Sequence, residues 1–298
     1  MQRGVMSKAR IEQESVIPKK ELRFEFGKNW QQFLSVLDDE RIEEAVHSLK
    51  SMLEVESLEG KTFLDIGSGS GLFSLAAMRI GASKVFSFDY DLQSVACTRE
   101  LKQRYFISAS NWTIEQGSVL DRNYLEKLGE WDVVYSWGVL HHTGNMWQAL
   151  ANVASLVAAK GTLFISIYND QGGTSQRWRK VKKGYNHAPD NLKGFIVFGV
   201  FLYFLQRWLL ARILRCQFRF HTKTKTPSKG SRGMSHWYDL IDWVGGYPFE
   251  VAKPEQIFDF YQQRSFELYR LKTCGGSLGC NEFVFRRKDK DFISYSHS

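Results

Sequence analysis

Two consecutive histidines, His141 and His142, follow the apolar run Trp131-Asp-Val-Val-Tyr-Ser-Trp137, and two acids, Asp65 and Asp89, close two earlier apolar runs. Imidazoles just past the end of a strand are placed to take a proton from a reacting group. Their ordinary pKa of about 6.5 suits that task at neutral pH, and a positioned base contributes about 10²- to 10⁴-fold. The alternative is that the two rings only shape a pocket and proximity does most of the work. The acids have different partners. Asp65 stands two residues before Gly67-Ser-Gly-Ser-Gly71, whose glycines let backbone approach a ligand. Negative charge there stabilises a bound ammonium or sulfonium and repels a pyrophosphate. Asp89 closes Phe86-Ser-Phe-Asp-Tyr90, the place where a carboxylate grips the hydroxyls of a ribose.

A parallel sheet with helical crossovers would hold these groups at one edge. Residues 61–66, 84–88, 112–115, 131–137 and 161–168 read as strands, alternating with helical patterns over 72–80, 92–106 and 145–157. Asp38 and Asp39 can cap an earlier helix whose Ile42, Ala45, Val46, Leu49 and Leu53 fall at helical spacing, and this helix would cover the sheet. A helix over about 254–264 carries Pro254 in its first turn. Two strands, 266–273 and 282–287, then flank Cys274-Gly-Gly-Ser-Leu-Gly-Cys280, and so short a link makes them antiparallel neighbours.

With 298 residues, 43% of them apolar, the chain can bury one large core with an appended lobe. The expected organisation is a leader and covering helix over 1–58, a nucleoside-binding core over 59–168, a basic, aromatic and helical insertion over 169–250, and a closing helix and strand pair over 251–298. Four cysteines, at 97, 216, 274 and 280, show neither zinc-site spacing nor the density of a disulfide scaffold, so no metal and a reducing compartment are expected. The first fifteen residues are polar and charged, which predicts no secretory signal.

Asp65-Ile-Gly67-Ser-Gly69-Ser-Gly71, Asp89 at the second strand's end and the segment 131–142 together resemble the class I S-adenosylmethionine-dependent methyltransferases, over roughly residues 59–168. The resemblance implies an α/β, Rossmann-like fold with a seven-stranded mixed sheet whose last strand is antiparallel. It implies S-adenosyl-L-methionine as cofactor, with Gly67 and Gly69 lining the methionine portion, Asp65 supporting its amino group through water, and Ser68 and Gly71 in the same binding turn. Asp89 would hold the ribose and Tyr90 would lie beside the adenine, with Ser118, Val119 and Trp137 completing the pocket. The family often carries an acid after a glycine beyond the third strand to receive the adenine amino group. This chain has Gly117-Ser118 there, leaving Ser118 or Asp121 to substitute. His141 and His142 would face the methyl, and Tyr168, Asn169, Asp239, Trp243 and Tyr247 would wall the acceptor. The segment 135–144 resembles the small-molecule branch, which includes quinone and other O- or C-methylases; the Asn/Asp-Pro-Pro-Tyr segment of amino-methylating DNA enzymes does not occur there. The expected reaction is methyl transfer to a small or lipid-linked acceptor, foremost at oxygen. A protein- or RNA-directed methylase and a catalytically silent cofactor binder are the alternatives.

Charge singles out the insertion. Residues 171–232 hold fourteen of the forty Lys/Arg but only one, Asp190, of the thirty-two acids, in a chain of net charge +8. Inside it, residues 194–205 form an unbroken apolar run, shorter than the roughly 20 residues that span hydrocarbon. Peripheral contact of 194–232 with an anionic membrane is one expectation, each cation near anionic lipid being worth about 1 kcal/mol. A lid or a homodimer contact is the other. Nucleic acid is the weaker partner, because the longest aromatic run lacks charge. A cytoplasmic protein, peripheral at the inner membrane surface, is the corresponding location.

Overall fold

The computed structural model describes residue 24 and residues 26–217, 236–276 and 278–289. Seven strands, β1 (Thr62–Ile66), β2 (Lys84–Asp89), β3 (Trp112–Gln116), β4 (Trp131–Trp137), β5 (Val157–Tyr168), β6 (Phe266–Lys272) and β7 (Cys280–Arg287), form one sheet in the order β3-β2-β1-β4-β5-β7-β6. The first five run parallel, and β7 lies antiparallel between β5 and β6. Thus the sheet is the mixed, seven-stranded one that the sequence pattern predicts.

Ten helices are described: α1 (Gly27–Ser35), α2 (Asp39–Leu53), α3 (Leu72–Arg79), α4 (Leu92–Tyr105), α5 (Arg122–Leu128), α6 (Met146–Ser155), α7 (Gly173–His187), α8 (Asp190–Gln217), α9 (His236–Gly245) and α10 (Pro254–Gln262). Side chains alternate between the two sheet faces, as strand geometry demands. Leu64, Ile66, Phe88, Val134 and Leu163 meet Leu150 of α6 and Ile257 and Tyr261 of α10. Phe63, Val85, Val133, Tyr135 and Phe164 meet Leu49 of α2, Leu75 of α3 and Leu101 of α4. Each fully buried Leu or Phe of these layers contributes about 1.5–3 kcal/mol.

Local signals start the helices where expected. The Asp38 side chain accepts from Arg41 N–H at 2.9 Å at the start of α2, and Gln256 Oε1 accepts from Lys253 N–H at 2.9 Å where Pro254 opens α10. The structure also departs from the sequence pattern. Helices α1 and α5 arise where no helix was predicted, and β5 begins at Val157, ahead of the predicted start at 161. The insertion folds as α7, α8 and α9 around a third, smaller core of Trp178, Tyr185, Val197, Val200, Val244 and Phe249.

Strand β1 has β2 on one side and β4 on the other, so the chain reverses its direction of travel across the sheet there. Such a switch point opens a crevice at the carboxyl ends of the strands. Asp89, the glycine turn and the histidines all lie at that end.

Candidate active site

The cofactor half is built from backbone. Gly67, Gly69 and Gly71 adopt φ of +73°, +55° and +82°, a region that side chains disfavour. A Cβ on Gly67 would lie 2.4 Å from Val139, and one on Gly69 would lie 2.9 Å from the Trp30 ring. The turn therefore runs in a slot between β4's exit and α1. Gly69 N–H donates to Asp89 Oδ2 and Asp91 N–H to Asp89 Oδ1, both at 2.9 Å. A vicinal diol would donate to the acceptor capacity that these N–H groups leave on the carboxylate. Burial pushes the Asp89 carboxyl up to about 6, against the pull of those N–H groups.

Helix α1 roofs this half. Gly27 N–H donates to Asp91 Oδ2 at 2.8 Å, Trp30 covers Gly69, and the Phe26 ring lies 5.1 Å from that of His142. Tyr90, 58% exposed, follows Asp89 at the rim. Val119 is buried, and Ser118 Oγ accepts from Leu120 N–H at 3.2 Å. Asp121 is likewise engaged, as the cap of α5, accepting from Tyr124 N–H at 3.1 Å.

Asp65 and Ser68 are buried and bonded to neighbouring helices. Asp65 accepts from Ser74 Oγ at 2.5 Å, Ser74 shares a 2.7 Å bond with Ser87, and burial pushes the Asp65 carboxyl up to about 7. Ser68 Oγ lies 3.0 Å from Thr98 Oγ1 on α4. Both side chains brace the turn.

The residues expected to wall the acceptor lie in an aromatic, largely buried cluster. His141 and His142 sit on a short 3-10 turn after β4, and the Tyr168 ring lies 4.1 Å from His141 and 5.5 Å from His142. Phe249 packs on Tyr168 at 5.1 Å, and Trp243 joins the same apolar cluster. His142 Nδ1 lies 2.6 Å from Pro248 O; a carbonyl only accepts, so Nδ1 carries the proton and Nε2 the lone pair. Burial pushes His142 down to about 3, with the Pro248 carbonyl opposing and the Lys182 charge adding. Burial likewise holds His141 well below the ordinary imidazole range, and its ring nitrogens make no well-formed hydrogen bond among the described residues. The neutral-pH basicity expected from the sequence is thus corrected: both rings are neutral near pH 7, because desolvation outweighs the ordinary pKa.

Asn169 Oδ1 accepts from Asn281 Nδ2 at 3.1 Å, tying β5 to the β7 hairpin, and Tyr247 O accepts from Phe24 N–H at 3.0 Å. Trp137 is half-buried at the end of β4. Asp239 lies on α9, its side chain outside the described ones.

One group, Lys182, escaped the sequence reading. Lys182 is fully buried, its Nζ 4.5 Å from the Trp243 ring centre, 4.9 Å from Phe249 and 5.7 Å from Tyr168. Glu250 caps α6, both its oxygens near 3.1–3.2 Å from Met146 N–H, while its own N–H donates to His141 O at 3.0 Å. The spacing of Ser175, Trp178, Lys182 and Tyr185 on α7 was the available signal for Lys182, since it shares the inward stripe with two aromatics.

A family model described as a methyltransferase domain matches residues 37–199, more than half of the chain. The ribosomal protein L11 methyltransferase of Enterobacter sp. (strain 638) is 43% identical over 51 residues, 17% of each protein. The chain thus spans under a fifth of that relative's length. Among solved structures, a chain of the Haloferax volcanii complex between the Trm112 methyltransferase activator and a methyltransferase is similar at TM-score 0.52 and 12% identity, over 89% of this chain and 99% of that one. Magnesium protoporphyrin IX methyltransferase of Synechocystis PCC 6803, solved with bound SAH, aligns at TM-score 0.48 and 15% identity over 82% of each chain. The carboxylate at the switch point and the glycine slot accord with this family match: the chain belongs to the methyltransferase domain family.

Proposed function

We propose that this protein methylates an oxygen of a small or lipid-linked acceptor whose hydroxyl is acidic, a phenol, enol or carboxylic acid. The observation that carries the reading is the pairing of a neutral His142, its Nε2 lone pair unprotonated, with a buried Lys182 ammonium one aromatic ring away. S-adenosyl-L-methionine, when bound, supplies an electrophilic methyl group. Asp89 would hold its ribose diol, and the slot at Gly67 and Gly69 would admit its methionine portion. The chain's own residues then do the rest.

His142 Nε2 can accept a hydrogen bond from the acceptor hydroxyl and so aim its oxygen. With a pKa of about 3, it is too weak a base to deprotonate an aliphatic alcohol. The positive charge of Lys182 favours an ionised oxygen, which suits an acceptor that gives up its proton readily. Tyr168, Phe249 and Trp243 exclude water, and orientation in a dry site supplies much of the acceleration. A protein acceptor is the reading that the L11 methyltransferase relatives favour, through a stretch covering 17% of their length.

Transfer of a labelled methyl group from S-adenosyl-L-methionine, screened over phenolic, enolic and carboxylic acceptors, a lipid extract, ribosomal protein and RNA, tests the proposal. Label in the acidic-hydroxyl or lipid fractions supports it. Label confined to protein or RNA overturns it.

A further inference from the structure

Helix α8 presents most of its apolar surface to solvent. Val197 and Val200 are buried, and Phe204 packs on Trp178 and Trp243 at 5.7 and 5.4 Å, so one narrow stripe attaches the helix to the rest of the molecule. Phe195 is 74% exposed and Phe198 54%, and Phe201, Leu202, Leu205, Trp208, Leu209 and Leu210 are also exposed. At about 100° per residue these positions sweep roughly 200° of the helix circumference. A partner helix in a two-stranded coil would cover only the a and d seam, about two positions in seven. A single second copy therefore leaves much of this arc bare, whereas a lipid phase covers it all.

Charge agrees with that occupant. The central run, residues 194–205, is bordered at one end by Lys193, its ammonium 5.8 Å from the Tyr185 ring. At the other end Arg207 lies 5.7 Å from Tyr203, and Arg212 4.7 Å from Trp208. Cation and aromatic pairs of this kind sit where hydrocarbon meets headgroups, ring inward and charge outward. Neighbouring α7 adds exposed Arg177, Arg179, Lys180 and Lys183. By length and composition alone, Asp190–Leu210 could cross a bilayer. Its attachment argues otherwise: Val197, Val200 and Phe204 lie along the middle of the helix, so a crossing would draw basic α7 into hydrocarbon.

We infer that α8 lies in the plane of an anionic phospholipid bilayer, its exposed arc among the acyl chains and the basic residues of α7 and α8 on the headgroups. This goes beyond the methyl-transfer reading and does not depend on it; with both true, the acceptor is drawn from the membrane. The test is flotation of the full chain with phosphatidylcholine vesicles containing roughly a third phosphatidylglycerol, against pure phosphatidylcholine. The wild type should float with the anionic vesicles. A variant carrying Phe198→Asp, Leu202→Asp and Leu205→Asp, all at exposed positions, should partition at least ~10-fold less while keeping its circular dichroism and cofactor binding. Quenching of the wild-type tryptophan fluorescence by brominated lipid is expected too, and needs no variant. A wild type that stays unbound and unquenched overturns the inference, as does a triple variant that floats equally well. It is equally overturned if light scattering without vesicles gives a stable dimer that the triple variant dissolves, or if RNA retention is what that variant loses.

Discussion

Asp65 and Asp89 are both carboxyls, yet their surroundings give them different work. Asp65 is locked to Ser74 inside the β1–α3 contact, and its folded pKa of about 7 lies above the ordinary 3.8. The native protein therefore keeps a proton that the unfolded chain gives up from about pH 4 upward, so stability through this group falls as pH rises across that window. Asp65→Asn removes the dependence. In the absence of cofactor it should melt above wild type at pH 8 and level with it at pH 4, by scanning calorimetry. The histidines carry a second prediction. Because both are neutral near pH 7, the rate profile should show no break near 6.5 from them. Any acid-side break should report the acceptor's own ionisation, and Lys182→Met should move it up by about one pH unit while Lys182→Arg leaves it near wild type. What was legible at this scale was contiguous: the glycine turn and Asp89 announce themselves within 23 residues of sequence, counting 67 to 89. Lys182 reaches the aromatic cluster from a distant segment, and the basicity of a histidine depends on burial that no local pattern reports.

At the scale of elements, the pattern of strands and major helices could be read because apolar period and capping residues agree at each one. Helix α1 could not. Its N-cap is Phe26, with no side-chain cap, and Trp30, Phe33 and Leu34 are too few to mark a stripe. It nonetheless closes the crevice, held by the Gly27 to Asp91 bond and by Trp30 on Gly69. Trp30→Ala should leave the fold intact and speed cofactor release by about tenfold, equivalent to roughly 1.4 kcal/mol of lost packing. Stopped-flow displacement measures it; an unchanged release rate would mean that α1 does not guard the site. Helix α5 was missed for another reason: at seven residues it is barely two turns and buries only Leu125. The start of β5 at Val157 was hidden because Lys160 takes φ +62° and interrupts the strand's regular alternation.

Across the whole molecule, the sheet order follows from the alternation of strands and crossovers, which is why the fold was legible before its insertion was. The insertion's three helices and their own small core depend on packing between Trp178, Trp243 and Phe249, residues up to 71 apart in sequence. Sheet and insertion bring the Asp89 carboxylate and the aromatic cluster of Tyr168, Trp243 and Phe249 to the same end of the sheet, where a crevice would lie between them. The account rests on that crevice holding S-adenosyl-L-methionine through Asp89. Titration calorimetry of the wild type and of Asp89→Asn with this cofactor at pH 7.5 tests it. One site per chain is expected in the wild type, weakening as pH falls below about 6, with affinity at least ~100-fold lower in the variant, since two hydrogen bonds to a charged group are worth roughly 3 kcal/mol or more. No heat of binding to the wild type, or equal affinity in the two proteins, would contradict it.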